Sequence, residues 1–488
     1  MGKINLNDDR FFEPDSRTRS IARELYKEIK SLPIISPHGH VDPEILSKNK
    51  NFSNPAELLI IPDHYIFRMF YSQGINLESL GISSLDGNHI EKDPKDIWKI
   101  FCENYFLFSG TPTKMWLSYV FKEVFGIDEH PNENNAMAIY DHIQKLLLEE
   151  RFKPRSIFDK FNIETLCTTE SADDQLVHHR TIKKSSWQGN VITAFRPDSV
   201  INLESKVWLS EIEKLSNASK VNIDSYKSFI SAIEDRRQFF KEMGATSTDQ
   251  GVETPFTQRI SDRKADEIFQ RAMKGESSKN DQRIFIGHML MEMARMSTDD
   301  GLVMQIHAGS LRNHNNVIFK KFGPDKGADI PLKTEYTKNL RPLLNEFGNN
   351  SDFSLIVFTL DESVYSRELA PLAGHYPSMK LGPPWWFHDS IEGMKRFRKR
   401  ATETAGIYNT VGFNDDTRAF LSIPARHDLC RRVDSNFLAE QVVRHVLDMD
   451  EAVKISHDLA YNLVKKSYKL CQLCLKKNYT TKTSTICC

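Results

Sequence analysis

The chain has 488 residues, with 65 Lys plus Arg and 66 Asp plus Glu, so its formal net charge of -1 creates no overall attraction for nucleic acid or an anionic membrane. A hydrophobic fraction of 40% and a charged fraction of 27% are ordinary for a globular enzyme and exclude a disordered chain. No apolar run approaches the ~18 residues of a membrane span, and residues 1–14 predict neither a signal nor a transit peptide. Seven cysteines are few and odd in number, which favours a reducing compartment, and we expect a cytoplasmic enzyme.

Eight short apolar runs recur along the chain, and most intervals between them have the periodicity of amphipathic helices. The runs are residues 34–40, 163–169, 191–196, 245–249, 302–308, 355–360, 379–384 and 407–414. Eight strand–helix repeats are what a closed parallel barrel needs, whereas an open doubly wound sheet more often stops at about five to seven strands. We therefore predict an α/β fold of the (β/α)8 TIM-barrel class.

The interval between the first two runs is much longer than the others. Residues 42–162 are rich in aromatic and helix-forming residues, which predicts a helical insertion over the barrel mouth. The predicted organisation is residues 1–41 as the N-terminal segment and first strand, 42–162 as the insertion, 163–470 as the remaining barrel with C-terminal helices, and 471–488 as a flexible tail. The tail carries Cys471, Cys474 and a terminal Cys-Cys pair, for which a frayed terminus is a better explanation than a thiolate zinc site.

Reactive residues stand at the ends of the predicted strands, which would converge on one mouth of a barrel. The first run ends in Pro37-His38-Gly39-His40, where two imidazoles on one side of a strand can share a metal, although a pair of structural histidines gives the same pattern. The other run ends hold Glu170, Arg196 and Asp198, Asp249, His307 with Arg312, Asp361 with Arg367, Trp385 and Trp386, and Asp416 with Arg418.

Each of these residues also has a structural explanation. A single arginine is more often solvated, and Asp415 or Asp416 can cap the following helix. Four arginines near one rim of a nearly neutral protein are poorly explained in that way. We expect Asp416 to take part in chemistry because Arg418 lies two residues on, where the two can form a charge-assisted pair. One of the two adjacent tryptophans is expected in the core and the other in the wall of the pocket.

The histidine pair and the late aspartate resemble the amidohydrolase superfamily, and finer motifs resemble its uronate isomerase branch. The motifs are Pro37-His38-Gly39-His40, Asp63-His64-Tyr65-Ile66-Phe67-Arg68, Cys167-Thr168-Thr169-Glu170, Phe195-Arg196-Pro197-Asp198, Ile306-His307-Ala308-Gly309, Pro384-Trp385-Trp386-Phe387, and Val411-Gly412-Phe413 through Asp416-Thr417-Arg418. Together they cover nearly the whole chain in the order of the family.

The resemblance implies a set of site residues. His38, His40 and Asp416 resemble the ligands of one divalent metal ion, expected to be zinc, and Asp416, Tyr65 and His64 are the expected catalytic residues. The expected substrate shell consists of Arg196, Asp249, His307, Arg418, Trp385 and Trp386, joined by Arg312 and Arg367 because of their places at the rim. One departure is Gln250, which stands where many relatives have a histidine.

The implied reaction interconverts D-glucuronate with D-fructuronate, and D-galacturonate with D-tagaturonate, by proton transfer through an enediol. Asp416 and Tyr65 are the expected proton carriers, with neither assigned to a particular step. A metal-dependent hydrolase of the same fold is the alternative enzyme, and a catalytically inactive barrel that binds sugar acids or a protein is the alternative outside catalysis. The expected partner is a small-molecule uronate, with neither nucleic acid nor membrane, and a homo-oligomer is compatible with the sequence.

Overall fold

The computed structural model describes residues 2–87 and 90–470, so the predicted tail 471–488 with its four cysteines lies outside the described residues. Parallel strands form a curled sheet in the order β1-β2-β3-β4-β5-β8-β9, and a short antiparallel pair, β6-β7, lies apart from it. The strands are β1 (Ile34–Ser36), β2 (Ile163–Ser171), β3 (Asn190–Arg196), β4 (Ser247–Val252), β5 (Val303–Ala308), β6 (Ser310–Leu311), β7 (Ile330–Pro331), β8 (Leu355–Thr359) and β9 (Met379–Leu381). The protein is therefore α/β, with neighbouring strands of the sheet all parallel.

Helices surround this sheet. The α-helices are α1 (Ser16–Ile29), α2 (Pro43–Lys48), α3 (Pro55–Leu59), α4 (His64–Ser72), α5 (Pro94–Glu103), α6 (Pro112–Tyr119), α7 (Ala136–Leu147), α8 (Pro154–Lys160), α9 (Val177–Lys184), α10 (Asp198–Ile201), α11 (Trp208–Ser219), α12 (Tyr226–Met243), α13 (Asp262–Met273), α14 (Lys279–Asp300), α15 (Asn316–Phe322), α16 (Arg341–Phe347), α17 (Ala370–Ala373), α18 (Ile391–Ala405), α19 (Ile423–Val443), α20 (Met449–His457) and α21 (Leu463–Ser467). Short 3-10 turns occupy Leu77–Leu80, Tyr105–Phe108, Glu150–Phe152, Glu362–Val364, Trp386–His388, Ile407–Asn409 and Phe420–Ser422, and π-helical turns occupy Val120–Val124, Tyr365–Leu369 and Asp458–Asn462.

The two long helices before β4 and β5 show why the chain alternates between helix and strand. Ser225 and Ser278 begin α12 and α14 with reciprocal capping boxes, which satisfy backbone N–H groups that a helix start leaves free. Gly244 and Gly301 end the same helices in left-handed conformations, with φ of 108° and 78°, that an L side chain rarely adopts. Each helix therefore stops cleanly, and the chain enters the sheet within a few residues.

The predicted eighth strand, residues 407–414, is wrong as a regular strand. Ile407–Asn409 forms a 3-10 turn, and Thr410 makes a single parallel bridge to Leu381 of β9. Gly412 has a φ of 80°, and this left-handed backbone breaks the alternation that a strand needs. The other seven predicted runs each contain a strand of the sheet.

The segment that follows the turn nevertheless runs between the two edges of the sheet. The Val411 amide donates to the Leu381 carbonyl at 3.1 Å, on the β9 side. The His40 amide donates to the Thr417 carbonyl at 3.0 Å, just beyond the end of β1. These contacts link both edge strands to one stretch of chain.

Apolar side chains fill the inside of the curled sheet, and a tyrosine closes its lower end. The interior cluster contains Ile35, Cys167, Ile192, Val303 and Phe358, together with Tyr468. The Tyr468 hydroxyl lies 3.2 Å from the Gln305 side-chain oxygen and accepts from Asn414 Nδ2 at 3.3 Å. Because packed side chains occupy this end, the open space of the sheet lies at the carboxyl ends of the strands.

Between β1 and β2 the chain forms helices α2 to α8. Their buried faces share an aromatic core that includes Phe70, Trp98, Phe101, Phe108 and Phe121. The start of α4 lies at the carboxyl ends of the strands, where His64 and Tyr65 reach the space above the sheet. Among the described residues, no helix has the length and apolar composition needed to cross a membrane.

Candidate active site

A cavity of about 670 Å³ lies at the carboxyl ends of the strands. This volume is within the range of roughly 300 to 1,000 Å³ that is usual for small-molecule sites. Its lining contains the predicted residues His38, His40, His64, Tyr65, Arg196, Asp249, His307, Arg312, Trp385, Trp386, Asp416 and Arg418. Chain segments more than 300 residues apart in the sequence, such as those of His38 and Asp416, therefore meet at one place.

Histidine and carboxylate side chains meet at the floor of the cavity. Possible ligand atoms of His38, His307 and Asp416 all lie within 4.8 Å of one another, which identifies a group that can hold a metal ion. Asp416 Oδ1 lies 3.2 Å from His40 Nε2 and 3.5 Å from His38 Nε2. The structure therefore brings the three predicted ligands together and adds His307, which the sequence placed in the substrate shell.

The protonation states of this group suit a metal site. Burial lowers the pKa of His38 and of His40, so both rings are neutral near pH 7. Burial alone would raise the pKa of Asp416, but its hydrogen bond to His40 and the neighbouring imidazoles hold it below its ordinary value. His38 Nδ1 and His307 Nε2 are buried nitrogens without a hydrogen-bond partner. Neutral imidazoles beside a carboxylate are the forms that bind divalent ions, so the residues present fit a metal.

A chain of charged contacts holds His307 in place. His307 Nδ1 lies 2.7 Å from Asp249 Oδ1, and Arg196 Nη1 lies 3.0 Å from Asp249 Oδ2. Arg196 Nε in turn donates to Asp198 Oδ2 at 2.7 Å. Burial alone would raise the pKa of Asp249, but Arg196 and His307 hold it well below its usual range. The ionised Asp249 therefore accepts the Nδ1 proton of His307 and leaves Nε2 as an acceptor.

Gln250 has no part in the cavity lining. Successive residues of a strand point to opposite sides, so Gln250 lies on the other side of β4 from Asp249. Its Nε2 donates to the Thr248 hydroxyl at 2.8 Å, and its side-chain oxygen is buried. The amide therefore does not lie at the cavity.

The arginines predicted to bind substrate differ in position. Arg418 lies 3.1 Å from Asp325 and Arg312 lies 2.6 Å from Asp329, and both pairs border the cavity. Arg367, predicted in the substrate shell, is not among the residues that line the cavity. Its guanidinium pairs with Glu368, the adjacent residue, and 57% of its side chain is exposed. Arg367 lies within the π-helical turn at residues 365–369, where its guanidinium donates to the neighbouring Glu368.

His64 and Tyr65 open helix α4. Asp63 caps this helix by accepting from the Tyr65 amide at 2.8 Å. Burial lowers the pKa of His64 to about 3, so its imidazole is neutral, and its Nδ1 is buried without a partner. The Tyr65 hydroxyl donates to the Asp389 carboxylate and to the Trp386 carbonyl. Burial raises the pKa of Tyr65 well above its ordinary value, with Asp389 acting in the same direction, so the phenol is neutral.

Both tryptophans line the cavity, but their environments differ. Trp385 belongs to the apolar interior cluster, and its ring lies 5.0 Å from that of His307. Trp386 is less buried, and its ring lies 4.5 Å from His64 and 4.8 Å from Tyr65. Its Nε1 donates to the Asp329 carbonyl at 3.0 Å. One tryptophan thus extends the core and the other forms part of the wall, and both contribute to the pocket.

Sequence reasoning missed four charged residues around the cavity. Asp325 and Asp329 come from the loop between α15 and β7, whose glycines and acidic residues, Gly-Pro-Asp-Lys-Gly-Ala-Asp, could have indicated a carboxylate loop after a strand end. Asp389 and Arg426 lie beside Tyr65 on the side away from the cavity. Asp389 lies just before α18, and Arg426 lies within α19. Three arginines and two aspartates within α19 were a usable signal, because so many charges on one helix are rarely all solvated.

Glu170 lies at the end of β2 but is absent from the cavity lining. It is buried on the helix side of the sheet, where it accepts from the Thr168 and Thr193 hydroxyls. Burial raises its pKa to about 7. A reactive residue type at a strand end is therefore not always directed at the mouth.

Comparison with known proteins agrees with this geometry. The family model described as glucuronate isomerase matches residues 8–468. A uronate isomerase of Nostoc punctiforme is 51% identical over 466 residues, which cover 95% of this chain and 98% of the relative. A crystal structure of glucuronate isomerase from Caulobacter crescentus has a TM-score of 0.94 at 52% identity and covers 96% of this chain and 98% of its own. A uronate isomerase structure from Thermotoga maritima has a TM-score of 0.89 at 26% identity, with 95% and 99% covered. The chain therefore belongs to the glucuronate isomerase family.

Proposed function

We propose that the cavity interconverts the aldose and ketose forms of a six-carbon uronate, D-glucuronate with D-fructuronate and D-galacturonate with D-tagaturonate. The observation that carries this proposal is the juxtaposition of the His38, His307 and Asp416 group with cationic Arg196 and Arg418 in one cavity. Such a site offers proton carriers and carboxylate-binding groups side by side. Family membership over 95% of the chain supports it.

His38, His40 and Asp416 would hold one divalent ion, with His307 within reach as a further ligand. Two or more imidazoles with a carboxylate suit zinc. A bound ion would polarise a substrate oxygen. Among the described residues only one group of three potential ligands was found at the required spacing, so a second metal ion that would activate water for hydrolysis has no evident ligands. This favours isomerisation over the hydrolase alternative.

Arg418 is the group best placed to take the substrate carboxylate. It is 36% exposed at the cavity and can offer two parallel N–H donors, a geometry that matches a carboxylate. Arg196 is already paired with both Asp198 and Asp249, through its Nε and Nη1 atoms. Arg196 therefore mainly holds Asp249, and through it His307, in place. Arg418 binds the substrate carboxylate.

Tyr65 and Asp416 are the proposed proton carriers. Isomerisation removes a proton from C2, leaves the C–H electron pair in the enediol double bond, and returns a proton to C1. The ionised Asp416 can accept a proton, and the neutral Tyr65 can exchange a proton with a substrate oxygen. His64, neutral and buried beside Tyr65, can hydrogen-bond a substrate hydroxyl without carrying charge.

We also infer that residues 410–417 fill the eighth position of a (β/α)8 barrel. The bridge from Thr410 to Leu381 and the Thr417 carbonyl at the His40 amide support this placement, since they join the two edge strands. Residues 42–162 are the insertion that covers its mouth.

We also propose that the enzyme is cytoplasmic. Cys102, Cys167 and Cys430 are buried free cysteines, which suit a reducing compartment.

The test is to incubate the purified protein with D-glucuronate and, separately, D-galacturonate, and to follow the ketose formed. We expect ketose with at least one of them and none with D-glucose, which lacks the carboxylate. The Asp416→Asn variant serves as the catalytic control and should form ketose at a rate lower by about 10²-fold or more. Equal turnover of D-glucose, or no ketose from either uronate in the metal-loaded protein, would reject the proposal.

A further inference from the structure

Tyr65 belongs to a buried network whose other two members, Asp389 and Arg426, do not line the cavity. Its single O–H group faces the Asp389 carboxylate, with oxygen distances of 3.0 and 3.1 Å, and the Trp386 carbonyl oxygen at 2.5 Å. Arg426 Nη1 donates to Asp389 Oδ2 at 2.7 Å. Tyr65 is 8%, Asp389 6% and Arg426 2% exposed, and only the tyrosine lines the cavity. A carboxylate is thus placed on the far side of the phenol from the substrate.

Arg426 is itself fixed by several contacts. Its guanidinium carbon lies 3.6 Å from the centre of the Trp116 ring, and its Nε donates to the Ser422 hydroxyl at 3.1 Å. The Trp116 ring packs edge-on against Tyr65, with 5.4 Å between ring centres. Three segments that are far apart in the sequence therefore meet near the Tyr65 hydroxyl. They are α4, the residues just before α18, and α19. A buried charge pair of this kind costs desolvation energy, and its placement behind a proposed proton carrier calls for a functional explanation.

We propose that Asp389 is the positioning residue for Tyr65 and takes up the phenolic proton when Tyr65 receives a proton from the substrate. The proposal rests on the role assigned to Tyr65 in the proposed function. A hydrogen bond to Asp389 turns the O–H bond away from the cavity and leaves an oxygen lone pair facing the substrate. The arrangement parallels the way a carboxylate orients and supports a catalytic imidazole in hydrolases.

The proton transfers balance without any other reactant. A substrate O–H bond breaks and leaves its electron pair on the substrate oxygen, while the proton forms a new O–H bond with the Tyr65 oxygen. The original phenolic O–H bond breaks at the same time, and its proton binds Asp389 while the electron pair stays on the tyrosine oxygen. The reverse transfers return the proton to the second oxygen of the enediol. Arg426 favours the ionised form of Asp389 at the start of this cycle.

A double-mutant cycle tests whether Asp389 acts through Tyr65. Asp389→Asn should lower kcat by about 10²-fold with little change in KM, because the substrate does not touch this residue. In the Tyr65→Phe background the same change should lower kcat by less than about twofold, since the hydroxyl through which it acts is absent. Long incubations with measurement of accumulated ketose give the residual rates of the two slow variants.

Asp434→Asn is the matched control. Asp434 pairs with Arg398 at 2.6 and 2.8 Å, and both side chains are at least 94% buried, but neither lines the cavity. This variant should lose thermal stability and keep kcat. The proposal is overturned if Asp389→Asn behaves like this control, or if its loss of kcat is equally large with and without the Tyr65 hydroxyl.

A second variant at the same position tests the proposal if the Asp389→Asn protein does not fold. Asp389→Glu keeps the charge beside Arg426 but displaces the carboxylate by one methylene, and a displacement of about 1 Å in an aligned proton path can cost about 10²-fold in rate. We expect at least a tenfold loss of kcat that disappears in the Tyr65→Phe background, and a wild-type kcat would overturn the proposal.

If Tyr65→Phe alone keeps the wild-type kcat, the role of Tyr65 in the proposed function fails. If Tyr65→Phe is slow and both Asp389 variants are fast, only the present inference fails.

Discussion

His307 Nδ1 lies 2.7 Å from Asp249 Oδ1, and this contact directs the second ring nitrogen of His307 toward Asp416 and His38. Asp249 thus occupies the place that a carboxylate or carbonyl often takes behind a metal-binding imidazole, where it fixes the tautomer and orientation of the ring. The contact connects the substrate-shell prediction for Asp249 and His307 with the proposed metal group.

The first prediction concerns metal content. His38→Ala and Asp416→Asn should each lower the affinity for Zn²⁺ strongly, while Asp249→Asn should lower it by about 10- to 100-fold, the usual effect of losing a residue behind a ligand. Zinc retained after dialysis against a graded chelator series, measured by atomic emission, gives the order of the effects. Asp198→Asn is the comparison, because Asp198 contacts Arg196 rather than His307. Wild-type zinc content in both His38→Ala and Asp416→Asn would exclude this metal group.

The second prediction concerns carboxylate recognition. Arg418→Lys keeps the charge but loses the planar pair of donors, so KM for the uronate should rise about tenfold, equivalent to about 1.4 kcal/mol. Arg367→Lys should leave KM unchanged, because the structure places Arg367 outside the cavity. Steady-state kinetics of both variants make the comparison. A larger effect at Arg367 than at Arg418 would show that the rim was assigned incorrectly.

The third prediction concerns how hydrogen moves between C1 and C2. A side-chain carrier such as Asp416 or Tyr65 can exchange its proton with solvent, whereas a transferred hydride cannot. Product formed in deuterium oxide should therefore carry deuterium at C1, and substrate recovered at partial conversion should carry some at C2. Proton NMR of both sugars measures the label. If many turnovers left both positions unlabelled, hydride transfer would replace the proposed proton transfer.

The fourth prediction concerns pH and stability at Glu170. Burial raises its pKa to about 7, whereas a glutamate in an unfolded chain has a pKa of about 4.3. Between these values the folded protein binds more protons than the unfolded chain, so the free energy of unfolding falls as pH rises through this window. His179 beside it stays neutral there, because burial lowers its pKa to about 4.

Glu170→Gln should remove this contribution, which we place at roughly 3 to 4 kcal/mol from the size of the pKa shift. The variant should therefore lose less Tm than the wild type between about pH 5 and pH 8, provided that its amide keeps the threonine hydrogen bonds. Calorimetry across this range is the measurement, with Glu403→Gln at an exposed position as the control. A wild-type pH slope in Glu170→Gln would contradict the prediction.

The sequence predicted most of the sheet, because seven β-branched runs were bounded by recognisable helix ends. It failed at residues 407–414, where Val411 and Phe413 alternate as in a strand but Gly412 adopts a left-handed conformation that only the folded protein requires. The antiparallel pair β6-β7 escaped prediction because each strand has only two residues and depends on a tertiary contact.

The cavity residues at strand ends could also be predicted from the sequence, because the carboxyl ends of the strands converge in a barrel. Asp389 and Arg426 could not, since their importance depends on where α18 and α19 pack relative to Tyr65. Arg367 shows the opposite case, since it is close to a strand end in sequence but pairs with Glu368 and is absent from the cavity lining. Proximity in sequence to a strand end is thus informative only when the following turn keeps the side chain above the sheet.

The pairing of Arg418 with Asp325 and of Arg312 with Asp329 also bears on how quickly a substrate arrives. Each entrance guanidinium already faces a carboxylate of the same chain, so the entrance presents little net positive potential to an approaching anion. A positive potential at an entrance accelerates the association of an anion, and added salt weakens that effect. Because the potential at this entrance is small, such acceleration should be small as well. Capture of the uronate would then be set by diffusion and by the opening of these internal pairs, and its rate would vary little with ionic strength.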